Sequence, residues 1–263
     1  MYTSYYGLDN NFLKETGKEY ESCDYKNVIS RIKYVKEIKG IGLIVGKSGI
    51  GKTYTLTSFI EKANKELYEI VYIKAGIVAS FEFLKQICNK LEIDVGNCYK
   101  GDIYNKIKNK IREIKEEKRE FILIIDEAEN LKEQAIEEIK NLYEIDTERR
   151  ENIAILLAGT EEISGELQKS KYESLRQRII INYNMQGLTR EEVKQYIKEK
   201  TEEAGGKDIY TETALNALYS ISGGNIRILN KLIMSSLMIG YLQKSPRIDE
   251  EIIRLAKSEV EIN

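Results

Sequence analysis

Short apolar runs separated by helical spacings fill the first two thirds of the chain. Runs at Ile41–Val45, Glu69–Ile73, Phe121–Ile125, Ile153–Leu157 and Ile179–Asn182 read as strands. Their near-continuous apolar character predicts strands buried on both faces, as in a parallel sheet. Between them, Ser80–Leu91, Asp102–Lys118 and Glu133–Glu144 carry helical patterns, and a helix is predicted from about Lys52. Val28, Ile32 and Val35 share one face of an earlier helix. Strands alternating with helices predict an α/β fold.

After about Met185 the strand pattern stops. Thr189-Arg-Glu-Glu192 reads as a capping box, with Leu188 and Val193 as a staple across it. Helices are predicted near 190–204, 211–221, 224–241 and 248–258. The chain therefore divides into an N-terminal strap at 1–22, an α/β core at 23–186 and a helical domain at 187–263.

Composition narrows the picture. The 263 residues are 42% hydrophobic and 32% charged, with a formal net charge of −2. No global basic field marks a nucleic-acid binder, so any DNA contact has to come from a local patch. There is no His, which removes His-based general bases and His-containing zinc sites. Cys23, Cys88 and Cys98 are odd in number and widely spaced, the pattern of reduced thiols. No apolar run approaches the roughly 20 residues of a membrane span. The opening Met1-Tyr-Thr-Ser-Tyr-Tyr6 lacks a basic-then-apolar signal pattern. A cytoplasmic location is expected.

The chemistry is concentrated at two places. Gly46-Lys47-Ser48-Gly49-Ile50-Gly51-Lys52-Thr53 matches G-x-x-x-x-G-K-[ST] at every fixed position, between an apolar run and a helix. Its glycines let backbone N–H groups face phosphate oxygens, and the helix N-terminus adds its positive end. Lys52 is expected to reach the β- and γ-phosphates of ATP and Thr53 to hold Mg²⁺; candidate nucleotide contacts run on to Tyr54. Phe121-Ile-Leu-Ile-Ile125 ends in Asp126-Glu127. Asp126 is expected to hold the magnesium through water, and Glu127 to polarise the attacking water. Glu129 reads as a surface acid on the following helix.

Three further signals follow in order. Ile153–Leu157 runs into Ala158-Gly159-Thr160, where Thr160 reads either as a sensor of the γ-phosphate or as a helix cap. Leu175-Arg176-Gln177-Arg178 offers either a finger for a neighbouring subunit's site or a structural ion pair. Gly223-Gly224-Asn225-Ile226-Arg227 opens a helix from which Arg227 is a candidate to lean over the phosphates.

Together these features resemble the AAA+ branch of the P-loop ATPases. Within it the chain is similar to the ExeA/TnsC group, which includes transposon target-selection ATPases of the TnsC, TniB and MuB type. The residues that carry the likeness are Tyr5-Tyr6-Gly7-Leu8, Gly40-Ile41-Gly42-Leu43, Asp126 through Leu131, Ala158-Gly159-Thr160-Glu161, Leu175 through Ile179 and Gly224 through Arg227. Members often carry Pro in the loop and strap, where this chain has Ser48 and Asn10-Asn11-Phe12. The resemblance implies a three-layer core with a central parallel five-stranded sheet and a C-terminal α-helical lid domain.

It also implies a function: Mg²⁺-dependent ATP hydrolysis by a homo-oligomer, ring or helical filament, that assembles on double-stranded DNA and recruits or activates a DDE transposase. Arg176 or Arg178 would then complete a neighbour's site. The basic stretch Lys100–Lys118 is the best local candidate for DNA, with Lys100, Lys106 and Lys110 tracking phosphates; interleaved Glu113, Glu116 and Glu117 leave open a simple solvated face. Two alternatives remain: an ATPase assisting assembly of a secretion or other protein complex, and a nucleotide-gated scaffold. Secretion members of the group carry a membrane span and a cell-wall-binding region, and neither is read here up to Asn263.

Overall fold

The computed structural model describes residues 2–9, 12–13, 19–77, 79–96, 98–145 and 153–260. Asn10 and Asn11 of the strap therefore lie outside the described residues, as does the end of the helical domain at 261–263. The helices are α1 (Tyr2–Tyr5), α2 (Cys23–Ile38), α3 (Lys52–Lys62), α4 (Ser80–Lys90), α5 (Lys100–Glu116), α6 (Glu133–Tyr143), α7 (Glu161–Leu167), α8 (Glu173–Arg176), α9 (Arg190–Glu203), α10 (Glu212–Ser222), α11 (Ile226–Leu242) and α12 (Glu250–Val260). The strands are β1 (Ile41–Val45), β2 (Tyr68–Lys74), β3 (Glu120–Asp126), β4 (Ala154–Gly159) and β5 (Ile179–Asn184). Two compact units hold them: Asn27–Lys47 with Lys52–Met185, and Met1–Lys26 with Ser48–Gly51 and Gln186–Asn263.

The first unit is a five-stranded sheet in the order β2-β3-β4-β1-β5, parallel at every pairing. This is the central parallel five-stranded sheet that the resemblance implies. β1 and β4 are buried at every position, and β3 at all but Glu120. The expectation of burial on both faces fails at the two edges. β2 is only half-buried over Tyr68–Ile70, and β5 alternates half-buried and exposed residues. An edge strand has one neighbour, so less of its surface is covered. β5 also runs to Asn184, two residues past its apolar stretch, because pairing with β1 continues through Val45↔Asn184.

One charge is buried beside this sheet. Glu138 on α6 is 2% exposed, and its carboxylate accepts from the Tyr104 hydroxyl and pairs with the Lys100 ammonium. A buried carboxylate without its counter-charge is strongly destabilising. Lys100→Ala is therefore expected to lower unfolding free energy by about 2–3 kcal/mol, discounted because Lys100 is half-exposed. Lys106→Ala, which loses a bond to the Asp94 carbonyl and no buried counter-charge, is expected to stay within about 1 kcal/mol. Urea unfolding of both variants checks this, and equal losses would contradict it.

The second unit is helical, as expected for the C-terminal part. α9 to α12 enclose a core that includes Val193, Leu218, Leu229, Ile233 and Ile253. The capping box forms as the sequence predicts. Thr189 Oγ1 accepts from Glu192 N at 3.3 Å, and Glu192 Oε2 accepts from Thr189 N at 2.9 Å. Leu188 and Val193 are both buried in the same core. The strap residues Tyr6, Leu8 and Phe12 belong to this core too, and the Tyr6 hydroxyl donates to Ser245 O at 3.0 Å. Asp24, in the first turn of α2, takes the N–H groups of Gln186 and Gly187 at 2.8 Å each.

Candidate functional site

The loop after β1 turns through left-handed conformations that suit glycine. Gly49 has φ +85° and Gly51 +105°. At Gly49 a Cβ would also lie 2.7 Å from both Arg227 Cβ and Asn225 Oδ1, so no side chain fits. α3 starts at Lys52, directly after the loop, which puts a helix N-terminus at its end. The Lys52 ammonium donates to Gly46 O at 2.7 Å and Lys47 O at 3.1 Å, so it folds back over the loop's own backbone.

Asp126 closes the second half of the site. Its residue is fully buried at the end of β3, and three donors compensate its carboxylate. Glu127 N donates to Oδ1 at 2.8 Å. Thr53 Oγ1 donates to Oδ2 at 2.6 Å, and the Tyr72 hydroxyl donates to the same oxygen at 2.9 Å. Thr53 and Asp126 are thus brought together across 73 residues of chain. Tyr72, on β2, was not among the sequence candidates. Burial first, and then the Asp126 charge, hold its phenol well above the usual range, so it remains a donor. The only sequence signal for it was a hydroxyl near the C-terminal end of a strand; the β2–β3 pairing that delivers it to Asp126 is a tertiary fact.

Glu127 leaves the strand in a left-handed conformation, φ 54° and ψ 39°, an unfavoured backbone for a residue with a Cβ. Its carboxylate pairs with Lys74, the last residue of β2, at 3.1 Å. Both groups are solvent-accessible, so the pair is worth about 0–1 kcal/mol and is easily exchanged. Glu129 is not the surface acid expected on the following helix. It lies in a short 3-10 turn, half-buried, and its Oε2 accepts the Thr160 N–H at 3.0 Å. Thr160 sits at the N-cap position of α7, yet its hydroxyl caps nothing: Oγ1 is buried and has no hydrogen-bond partner among the described residues.

Arg227 belongs to the same unit as the loop tip. Its guanidinium donates to Ser48 Oγ at 2.8 Å and its N–H to Gly49 O at 3.1 Å. Asn225, which the sequence offers only as part of the Gly223–Arg227 motif and not as a site residue, donates from its amide to Ser48 O at 2.7 Å while its Oδ1 caps α11. Ile50 is buried. Arg176 donates to Leu167 O at 2.9 Å. Arg178 is held by the Ser174 hydroxyl at 2.7 Å and by an ion pair with Glu144. Among the basic candidates, Lys100 pairs with Glu138, Lys106 donates to Asp94 O at 2.6 Å, and Lys110 pairs with Glu113 at 3.2 Å. None of these partners belongs to the phosphate loop.

The donor set suits a nucleotide and a hard cation. A glycine loop ending on a helix N-terminus, with a lysine beside it, is built for phosphate oxygens. Thr53 Oγ1 and the Asp126 carboxylate are oxygen donors of the kind Mg²⁺ takes. Among the described residues, no group of three or more His, Cys, Asp or Glu is placed to hold a metal. Mg²⁺ commonly binds through one or two protein oxygens, with phosphate and water completing its shell, so this sparse set fits it. Among the described residues, no helix is long and apolar enough to cross a membrane.

Comparison with known proteins gives the family and the fold. The AAA domain family matches residues 35–167, which include both halves of the site. General secretion pathway protein A of Aeromonas hydrophila is 24% identical over 270 residues, covering 99% of this chain and 48% of that protein. The chain thus spans about half the length of that relative. The Mu-like prophage FluMu DNA transposition protein B of Haemophilus influenzae is 24% identical over 218 residues, covering 80% of this chain and 70% of that protein. Among solved structures, Cdc6p from Pyrobaculum aerophilum superposes with a TM-score of 0.75 at 17% identity, over 97% of this chain and 72% of that one. That likeness supports the fold. The chain belongs to the AAA domain family and has the AAA+ P-loop ATPase fold.

Proposed function

We propose that the protein is a Mg²⁺-dependent ATPase that assembles on duplex DNA in its ATP state and recruits or activates a DDE transposase. The observation that carries the ATPase half is the Thr53–Asp126 hydrogen bond, with Glu127 next in the chain. Bound Mg²⁺ would neutralise phosphate charge. Gly46–Tyr54 would cradle the phosphates, with Lys52 supplying a positive charge to them. Glu127 would take a proton from the attacking water as that oxygen bonds to the γ-phosphorus and the bond to the β-phosphate oxygen breaks, leaving ADP and phosphate. The unpartnered Thr160 hydroxyl is suited to a polar contact made only when nucleotide is present.

Of the two candidate fingers, Arg176 fits better. It holds one carbonyl, whereas Arg178 is committed to Glu144 and Ser174. A finger supplied by a neighbouring copy would make turnover depend on assembly. The DNA and transposase part rests on the likeness to a DNA transposition protein. Lys106 and Lys110 are the better phosphate contacts on α5, since Lys100 also serves the buried Glu138. The three cysteines, odd in number and widely spaced, suit a reducing cytoplasm.

A second reading, an ATPase assisting assembly of a secretion complex, is favoured by the secretion relative, whose match covers 99% of the chain. One experiment separates the two. The protein is imaged and sedimented with a non-hydrolysable ATP analogue and two unrelated DNA duplexes, at low and high salt. The transposition reading expects nucleotide-dependent rings or filaments on both duplexes, weakening with salt. Nucleotide binding without any response to DNA overturns it in favour of the second reading.

A further inference from the structure

We infer that Tyr72 is a positioning residue for the metal half of the site, holding Asp126 so that Thr53 faces the cation; this rests on the ATPase reading above. A carboxylate oxygen offers about two in-plane acceptor directions. Oδ2 of Asp126 receives two hydroxyl donors, Thr53 at 2.6 Å and Tyr72 at 2.9 Å. Oδ1 receives the Glu127 N–H at 2.8 Å. The carboxylate plane is thus pinned at both oxygens, and Tyr72 is the only one of the three donors that lies on neither the phosphate loop nor β3's own exit.

Pinning has a consequence for Thr53. A hydroxyl has one hydrogen and two lone pairs. While that hydrogen is donated to Oδ2, the lone pairs remain for a cation. Because Oδ2 is saturated by two donors, Asp126 acts on a cation through the Thr53 hydroxyl or a water rather than by direct contact from that oxygen. This is the outer-shell role that orients a metal's ligands, and losing such a partner typically costs about 10–100-fold in metal affinity. The backbone supports it: β2 and β3 pair in register, with Tyr72 opposite Ile124 and Lys74 opposite Asp126, so Tyr72 is the diagonal neighbour of Asp126 on the same face, within reach of a long aromatic side chain. Tyr72 is held in place as part of that ladder, so its hydroxyl is preorganised.

The test is Tyr72→Phe, which removes one oxygen and keeps the ring. Mn²⁺ affinity is measured by electron paramagnetic resonance on protein loaded with a non-hydrolysable ATP analogue. Affinity for the same analogue is measured separately in EDTA, by fluorescence, and melting temperature by calorimetry. Tyr104→Phe is the control, since it removes another phenol–carboxylate bond, to Glu138. The expected result is Mn²⁺ affinity about tenfold weaker or more in Tyr72→Phe, with unchanged metal-free analogue affinity. Tyr104→Phe is expected to lower melting temperature but keep wild-type Mn²⁺ affinity. Wild-type Mn²⁺ affinity in Tyr72→Phe, or an equal loss in Tyr104→Phe, would overturn the inference. A wild-type protein that binds no analogue would instead overturn the ATPase reading itself.

Discussion

Glu127→Gln is expected to slow ATP turnover by about 10²–10⁴-fold while leaving ATP binding intact. The chain has no His, so no imidazole stands in for a lost base. Glutamine keeps the shape and can still hydrogen-bond, but it cannot accept the water's proton. Binding is expected to survive because the groups proposed to hold phosphate and cation, Lys52, Thr53 and Asp126, make their contacts without the Glu127 side chain. The Glu127 carboxylate is engaged elsewhere, with Lys74 at 3.1 Å. Phosphate release under saturating ATP, alongside binding of a fluorescent analogue, checks both halves of the expectation. Turnover within a few-fold of wild type would remove Glu127 from the catalytic role. With hydrolysis blocked, the ATP-bound assembly on DNA should also persist, which ties this variant to the proposed function.

Gly224→Ala is expected to destabilise the helical unit by about 3–4 kcal/mol. Gly224 has φ +78°, and an added Cβ would lie 2.1 Å from Leu188 O and 2.8 Å from Leu188 N. Those are backbone atoms, so no side-chain rotation relieves the clash. The 2.9 Å bond from Leu188 N to Gly224 O would have to break or stretch. The damage then spreads along the chain, because Asn225 and Arg227 follow directly. Their bonds to Ser48 and Gly49 hold the tip of the phosphate loop. A weaker affinity for ATP is expected to accompany the lost stability. Urea unfolding read by circular dichroism, with analogue binding in parallel, measures the two effects. Unchanged midpoints would mean the backbone moves aside more cheaply than its packing implies.

How far the sequence reached differs from residue to residue. Gly46–Thr53 and Asp126-Glu127 stand out as candidates in the sequence because the local pattern is specific: a loop needing glycine, a lysine at a helix start, acids at a strand's end. The capping box at Thr189 was legible because it closes within four residues. Tyr72 was not, since an aromatic in a strand ordinarily reads as packing and only the β2–β3 register brings it to Asp126. Glu129 was misread as a surface acid because helical spacing says nothing about a 3-10 turn beside the end of β4. Lys100 looked like a free surface charge until α6 supplied the buried Glu138.

The sequence by itself determined the phosphate loop, the alternating strand and helix order, and the change to helices after Met185. These follow from patterns carried by neighbours along the chain, where hydrophobic period and backbone sterics act over a few residues. Only the tertiary structure decided which strand lies beside which, where the edges fall, and what Asp126, Glu127 and Thr160 touch. Those contacts join residues tens of positions apart, as Thr53 and Asp126 are. Their energy comes from burial and from pairing polar groups away from water, which depend on what packs around them. A residue's type states what it is able to bond; the fold decides what it meets.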